Sequence, residues 1–347
     1  MSRQASATVL LSRTLFSLLF ALLAGVHPAA ASEPMRIVVA MPGPNAAPYL
    51  PLELVSRIGA DRKAGFVLIL RHFGGGPLAL KDMIERNSDF AALGMPALAG
   101  VRLTNPNLVS IAALTQAPAY VLMARQDLKQ RIREPADLRG RSIGTHSGSK
   151  QGKSTARQVA EYLLMRNGVN RDEVNFVHAG QNLADYSAAL RSGLVDAIVV
   201  NEPAATLLEN NQLAWRLADL HDPQVARKHL GGRFLYTQLA ADSETLRRQP
   251  DKARMMSSAL RDTLRWMAKN NARAIVARLG LSEGEEKQAL ENFLAAHKDI
   301  YSPDGGFSEE AIRNSEAFFH AINGDDPAAA RLRYADFIDG RWTGRGQ

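Results

Sequence analysis

From Met35 onward, apolar β-branched runs alternate with segments of helical period. "MRIVVAM" (35–41) reads as a strand closed by Pro42-Gly43-Pro44, because an unbroken apolar run suits a strand covered on both faces. "PYLPLELVSRIGAD" (48–61) sets Leu52, Val55 and Ile58 roughly on one face and reads as helical. "FVLILRHF" (66–73) is a second strand stopped by Gly74-Gly75-Gly76. "PLALKDMIERN" (77–87) is a helix with Pro77 tolerated in its first turn, and "DFAALG" (89–94) is a third strand. This β-α-β-α-β order predicts an α/β fold with a largely parallel sheet flanked by helices.

The rhythm then recurs. "DFAALGMPA" (89–97) overlays "DAIVVNEPA" (196–204) at an offset of 107, matching Asp89 to Asp196 and Pro96 to Pro203. "LRHFG" (70–74) overlays "FVHAG" (176–180) at an offset of 106, and "RSIGT" before His146 corresponds to "RIVVAM" near an offset of 105. Three landmarks in order, at nearly constant spacing, predict two similar α/β halves. Between them "GKSTARQVAEYLLMRNG" (152–168) is a helix stopped at Gly168. Beyond Gln238 the pattern turns helical: 242–280 carries Met255, Ala259, Leu260, Leu264 and Met267 near helical spacing, with further helices at roughly 282–298 and 308–322.

The first thirty residues differ. Arg3 and Arg13 precede the apolar run Leu15–Val26, and Ala29 to Ala31 supply small residues, the layout of a secretory leader cleaved after Ala31. Its apolar core is shorter than the roughly 20 residues a bilayer demands. Cleavage leaves 347 − 31 = 316 residues and lowers the formal charge from +7 to about +5, a balance that suits anionic ligands without identifying one. The chain has no cysteine, which excludes disulfides, thiolate metal sites, a cysteine nucleophile and a lipidated N-terminal cysteine. The expected location is the periplasm, as a mature protein that does not span the membrane.

One loop, "THSGSKQGKST" (145–155), ends like a nucleotide-binding P-loop. Gly148 and Gly152 enclose three residues where a Walker loop needs four, and ATP is scarce outside the cytoplasm, so nucleotide binding is rejected. A strand, a Gly/Ser turn and a helix start still aim backbone N–H groups at one point, and a small oxyanion is the expected guest. The other strand ends carry similar punctuation at Pro42–Pro44, Gly74–Gly76, Gly94–Pro96, Gly180–Asn182 and Asn201–Pro203. In open α/β sheets ligands gather at such carboxyl ends, so two halves facing each other predict a cleft. His72, His146 and His178 lie near these ends without metal-ligand spacing; no metal and no cofactor are expected. No nucleophile elbow or acid–base pair stands out, and binding without catalysis is expected.

The sequence resembles the periplasmic solute-binding proteins of the nitrate/sulfonate/taurine class of ABC importers, including relatives that bind thiamin-pyrimidine precursors. The stretches that carry this are "APYLPLEL", "FGGGPLALKDMIERNSDFAALG", "ADLRGRSIGTHSGS", "AALRSGLVDAIVVNEPA" and "LRRQPDKARMMSSALRDTLRWMAKN". The resemblance implies a two-lobe, type II periplasmic binding protein fold with a hinge of two crossover strands, at 120–125 and 235–240. Lobe 1 would be 35–122 plus 240–347, and lobe 2 would be 123–239. It implies ligand contacts at Pro42, Gly43, Asn45, Gly74, Gly75, Gly76, Met95, Ser147, Gly148, Ser149, Gln181 and Glu202; the strand end adds Asn201, and Tyr49 or His72 would lie against the rest of the ligand. Here "NAAPYLPLEL" lacks the glycine-ended helix typical after the first strand.

The expected function is capture of a small organic anion (a sulfonate, a carboxylate or nitrate) by a monomer that delivers it to an ABC permease with a cytoplasmic ATPase. Alternatives are a ligand-sensing partner of a membrane kinase, or a binder of a pyrimidine or other aromatic nutrient. Fungal pyrimidine synthases resemble the same fold but depend on a cysteine-rich segment, which is missing here. Nothing resembles a nucleic-acid module.

Overall fold

The computed structural model describes residues 34–150 and 152–343, so the leader expected over 1–31 lies outside the described residues. Three runs read as strands above open the first sheet: β1 (Met35–Pro42), β2 (Phe66–Phe73) and β3 (Phe90–Gly94). Every residue of β3 is buried, as an apolar strand covered on both faces requires. The helix expected at 48–61 is two, α1 (Leu50–Arg57) and α2 (Ala60–Lys63), because Gly59 between them adopts φ +75°. Next come α3 (Gly76–Ile84), α4 (Met95–Arg102) and a strand absent from the sequence reading, β4 (Leu108–Ala113).

The second sheet repeats the plan. It holds β5 (Val121–Arg125), β6 (Ser142–Thr145), β7 (Asn175–His178), β8 (Ala197–Val200) and β9 (Ala214–Asp219). Its helices are α5 (Thr155–Arg166), capped by Ser154, then α6 (Leu183–Arg191), α7 (Ala204–Asn210) and α8 (Pro223–Leu230). Strand β10 (Thr237–Asp242) returns to the first sheet. Strand orders are β2-β1-β3-β10-β4 and β7-β6-β8-β5-β9. Strands β1, β2 and β3 therefore occupy the places that β6, β7 and β8 hold in the other sheet, as the sequence repeat predicts. In each sheet the fourth place belongs to the strand that has just crossed from the other, and it runs antiparallel: β10 places Gln238 opposite Leu93, and β5 places Met123 opposite Ile198.

The runs expected to form the crossings, 120–125 and 235–240, mostly lie within the sheets as β5 and β10. The chain crosses in the residues just before them, 114–120 and 231–236, which run side by side. Phe234 N–H donates to Gln116 O (3.1 Å) and Tyr236 N–H to Thr115 O (3.3 Å), while the Thr115 and Thr237 hydroxyls lie 2.7 Å apart. Both crossing segments are themselves largely buried, with Leu114, Ala119, Phe234 and Leu235 among their core residues.

The helical stretch at 242–280 is three helices, α9 (Ser243–Arg248), α10 (Pro250–Lys269) and α11 (Ala272–Ala277). Pro250 starts the second, and the Asn271 side chain caps the third. Helix α10 packs on α1 and α2 beside the first sheet. Then α12 (Glu285–His297) packs on α7 of the second, and α13 (Glu309–Asn323) touches both α4 and α5; α14 (Pro327–Arg331) follows. Among the described residues, no helix is long and apolar enough to cross a membrane.

Candidate functional site

The carboxyl ends of the two sets of strands meet. Ala47 N–H donates to Glu202 O (2.9 Å), Ser147 N–H to Gly74 O (3.2 Å) and the Tyr236 hydroxyl to Asn201 Oδ1 (3.0 Å). The approach is close enough to dictate residue type: a Cβ on Gly75 would lie 2.1 Å from Ser147 O, and one on Gly94 would lie 2.0 Å from Thr155 Oγ1. Glycine at 75 is needed for this backbone contact.

At one end of the seam lies a groove of about 450 Å³. It brings together Asn45, Gln181, Asn201 and Glu202, four residues singled out from the sequence. It adds Asn182, part of the Gly180–Asn182 strand end, and Tyr186, Glu285 and Glu286, which sequence reading missed. Asn45 is held by two elements: its N–H donates to Glu53 Oε1 (2.7 Å) and its Nδ2 to Glu286 Oε1 (3.2 Å) on α12. Gln181 leaves a buried Oε1 without a partner. The described lining holds amides and carboxylates but neither lysine nor arginine.

Behind the groove stands an aromatic cluster. The Tyr120 and Tyr236 rings meet edge to face at 4.9 Å, and the Tyr120 and His146 centroids are 5.7 Å apart. Tyr186 Oη lies 3.0 Å from His146 Nε2, and Gln181 Nε2 lies 3.5 Å from Nδ1. Burial pushes the His146 pKa down to about 4, so the imidazole is neutral at pH 7. Burial likewise raises Tyr49, Tyr120, Tyr186 and Tyr236 above the usual phenol value, keeping their hydroxyls protonated as donors. Of these, only Tyr49 was a sequence candidate; Tyr120 and Tyr236 flank the crossings with no periodic signal to mark them.

The 145–155 loop lies on the other flank. Three of its backbone donors are committed within the protein: Ser147 N–H to Gly74 O, Ser149 N–H to Gly152 O, and Gly152 N–H to Ser149 O. Ser154 Oγ donates to His146 O and accepts from Arg157 N–H, the role of a helix cap. Lys153 Nζ lies 2.8 Å from the buried Glu161 carboxylate. Gly148 and Ser149 line a separate groove of about 840 Å³ with Lys81, Lys150, Lys153 and Arg157. Pro42, Gly43, Tyr49, Gly74, Gly75, Gly76, Met95 and Ser147 line neither groove; Gly43, Gly74 and Gly75 form the seam, while Met95 is fully buried and donates its N–H to Tyr236 O.

Glu202 is fixed from beneath. Arg216 on β9 reaches Glu202 Oε1 (2.6 Å), Glu209 Oε2 (2.9 Å) and Asp219 Oδ2 (2.7 Å), a fan of ion pairs that orients the strand end. Glu202-Pro203 is a cis peptide. No cluster of His, Asp or Glu among the described residues has the arrangement to hold a metal ion.

The family model described as NMT1/THI5 like matches residues 72–274, more than half of the chain. No curated protein sequence matches it. Among solved structures, a protein from Bordetella bronchiseptica RB50 aligns with TM-score 0.79 at 22% identity, covering 89% of this chain and 96% of that one. The alkanesulfonate-binding protein from Xanthomonas axonopodis pv. citri, bound to MOPS, aligns with TM-score 0.70 at 17% identity over 89% and 100%. A desulfurization enzyme aligns with TM-score 0.58 at 16% identity over 89% and 98%, so binding proteins and an enzyme share this architecture. The fold is that of the two-lobe periplasmic binding proteins, as the sequence resemblance implied. The chain belongs to the NMT1/THI5-like family.

Proposed function

We propose that this chain is the solute-binding component of an ABC importer, working in the periplasm as two lobes (expected at 35–122 with 240–347 and at 123–239, the divisions falling at the crossings 114–120 and 231–236) that close on a small molecule. The ligand reading differs from the anion expected from sequence. The groove at the seam offers amides, carboxylates and the Tyr186 ring, whose hydroxyl meets a neutral His146, and no cation among its described lining. That absence carries the reading: Arg216 is already committed to Glu202, and an anion there would face Glu285 and Glu286 with no cation in the described lining, whereas an uncharged or amine-bearing ring finds the Tyr186 ring and hydrogen-bond partners. Binding energy that is larger in the closed form shifts the lobe equilibrium, and a permease would read the closed shape. The tip-to-tip contacts of Gly75 with Ser147 and Ala47 with Glu202 support closure of this kind.

A second reading, capture of a sulfonate, is favoured by the basic 840 Å³ groove and by likeness to an alkanesulfonate-binding fold. Thermal denaturation of the mature protein with aminopyrimidines, aromatic amines, alkanesulfonates and nitrate separates the two. A ligand at 100 times its dissociation constant adds about 2.7 kcal/mol. Stabilisation by nitrogenous rings that is lost in Asn201→Ala supports the first reading; stabilisation by sulfonates or nitrate alone overturns it. Chemical turnover of a stabilising ligand would overturn the non-enzymatic role.

A further inference from the structure

A cavity of about 560 Å³ lies on the two crossing segments, away from the seam groove, walled by Ala117 and Pro118 of the first crossing and Gly232 and Arg233 of the second. Such a volume suits a small metabolite. Its polar groups are Arg227 of α8, Arg233, His221, His297 of α12, Asp299 and Glu310. Two arginines face two carboxylates, a balanced set. Neither guanidinium has a salt-bridge partner among the described residues, while Glu310 Oε1 accepts from Arg233 N–H at 3.2 Å.

His221 supplies the second observation. It is 6% exposed, and its Nδ1 lies 2.8 Å from Asp219 Oδ1, which fixes the ring with Nδ1–H donated to the carboxylate. Its Nε2, on the opposite edge, is buried and has no partner. His221 lines the cavity, and a buried ring nitrogen left unmatched there is costly unless a guest meets it. The dyad also connects to the seam: Asp219 is bound by Arg216, which binds Glu202, whose carbonyl accepts from Ala47 across the seam.

We propose that this cavity is a second ligand site, taking a zwitterion of amino-acid size with its carboxylate on Arg227 and Arg233 and its ammonium between Asp299 and His221 Nε2. Opposite charges on both ligand and wall favour a molecule carrying both, and two bidentate-capable arginines favour a carboxylate. Because the cavity rests on both crossing segments, an occupant restrains the passage between sheets, and the Asp219–Arg216–Glu202 chain carries that restraint toward the groove. The site itself stands without the groove reading; the coupling rests on it.

The test is titration of the mature protein with glycine and L-alanine, compared with acetate and methylammonium, which each lack one charged end. The ¹⁵N resonances of the histidine rings are followed together with heats of binding. The amino acids are expected to bind and to shift His221 Nε2, whereas acetate and methylammonium bind at least about tenfold more weakly. Arg227→Gln, an exposed position, together with Arg233→Gln should weaken amino-acid binding at least about tenfold with the fold retained by circular dichroism. Asn201→Ala in the seam groove should leave it intact. No binding at about 10 mM, binding of acetate or methylammonium equal to that of the amino acids, or full affinity in the double arginine variant would each overturn the proposal. Loss of amino-acid binding in Asn201→Ala would overturn it too, by placing the amino acid in the groove.

Discussion

Two grooves flank the 145–155 loop, and they have opposite characters. The one at the seam, about 450 Å³, is lined by Asn45, Gln181, Asn182 and Asn201 with three glutamates. The other, about 840 Å³, is lined by Lys81, Lys150, Lys153 and Arg157. His146 stands between them, lining the basic groove while its ring nitrogens face Gln181 and Tyr186 of the seam groove. Positive charge near a cleft is therefore no proof of an anion in it. Here the lysines point to one side, and the neutral donors and acceptors to the other.

The largest effect should come from Arg216, which holds the seam carboxylate. Arg216→Met leaves Glu202, 3% exposed, without its cation, and should cost about 3–5 kcal/mol in urea denaturation. A loss well below that would mean the fan of ion pairs does not anchor the strand end. Next is His146. Its folded pKa, about 4, lies below its ordinary 6.5, so its contribution is complete above pH 6.5 and is lost as pH falls toward 4, at about 1.4 kcal/mol per unit. The difference between wild type and His146→Gln should accordingly shrink across that window; parallel pH profiles would mean that the ring is hydrated in solution.

A smaller effect tests the seam. Gly75→Ala places a Cβ 2.1 Å from Ser147 O and should hold the tips apart, costing about 1–3 kcal/mol of closure. Ligand affinity should fall roughly 5- to 150-fold, and the radius of gyration with ligand should rise. Unchanged affinity and radius would show that closure does not bring these tips together. The smallest effect contrasts the grooves directly: Lys150→Gln should change affinity for the seam ligand less than about twofold in calorimetry, because Lys150 lines only the basic side. A tenfold loss would move the ligand across the loop.

Much of the architecture was legible because burial leaves a linear trace. Fully covered strands such as "FAALG" and "AIVV" must be apolar throughout, and the two halves repeat them at a fixed offset that the strand orders reproduce. Strand β9 escaped notice because Arg216 interrupts its apolar run to serve Glu202. The site left a fainter trace. Glycines and prolines at strand ends marked where the chain turns, and Asn45, Gln181, Asn201 and Glu202 do converge.

Sequence by itself determined which segments are buried, where they turn and that the plan occurs twice, since each is a local consequence of hydrophobic period and backbone permissiveness. Tertiary structure alone decided which polar groups meet. Asn45 reaches Glu286 across 241 positions, Tyr236 reaches Asn201, and Lys153 is turned to Glu161 instead of to a ligand. Those pairings depend on how two sheets are threaded by two crossings. Side-chain direction at a strand tip is set by that threading, through contacts that no local pattern encodes.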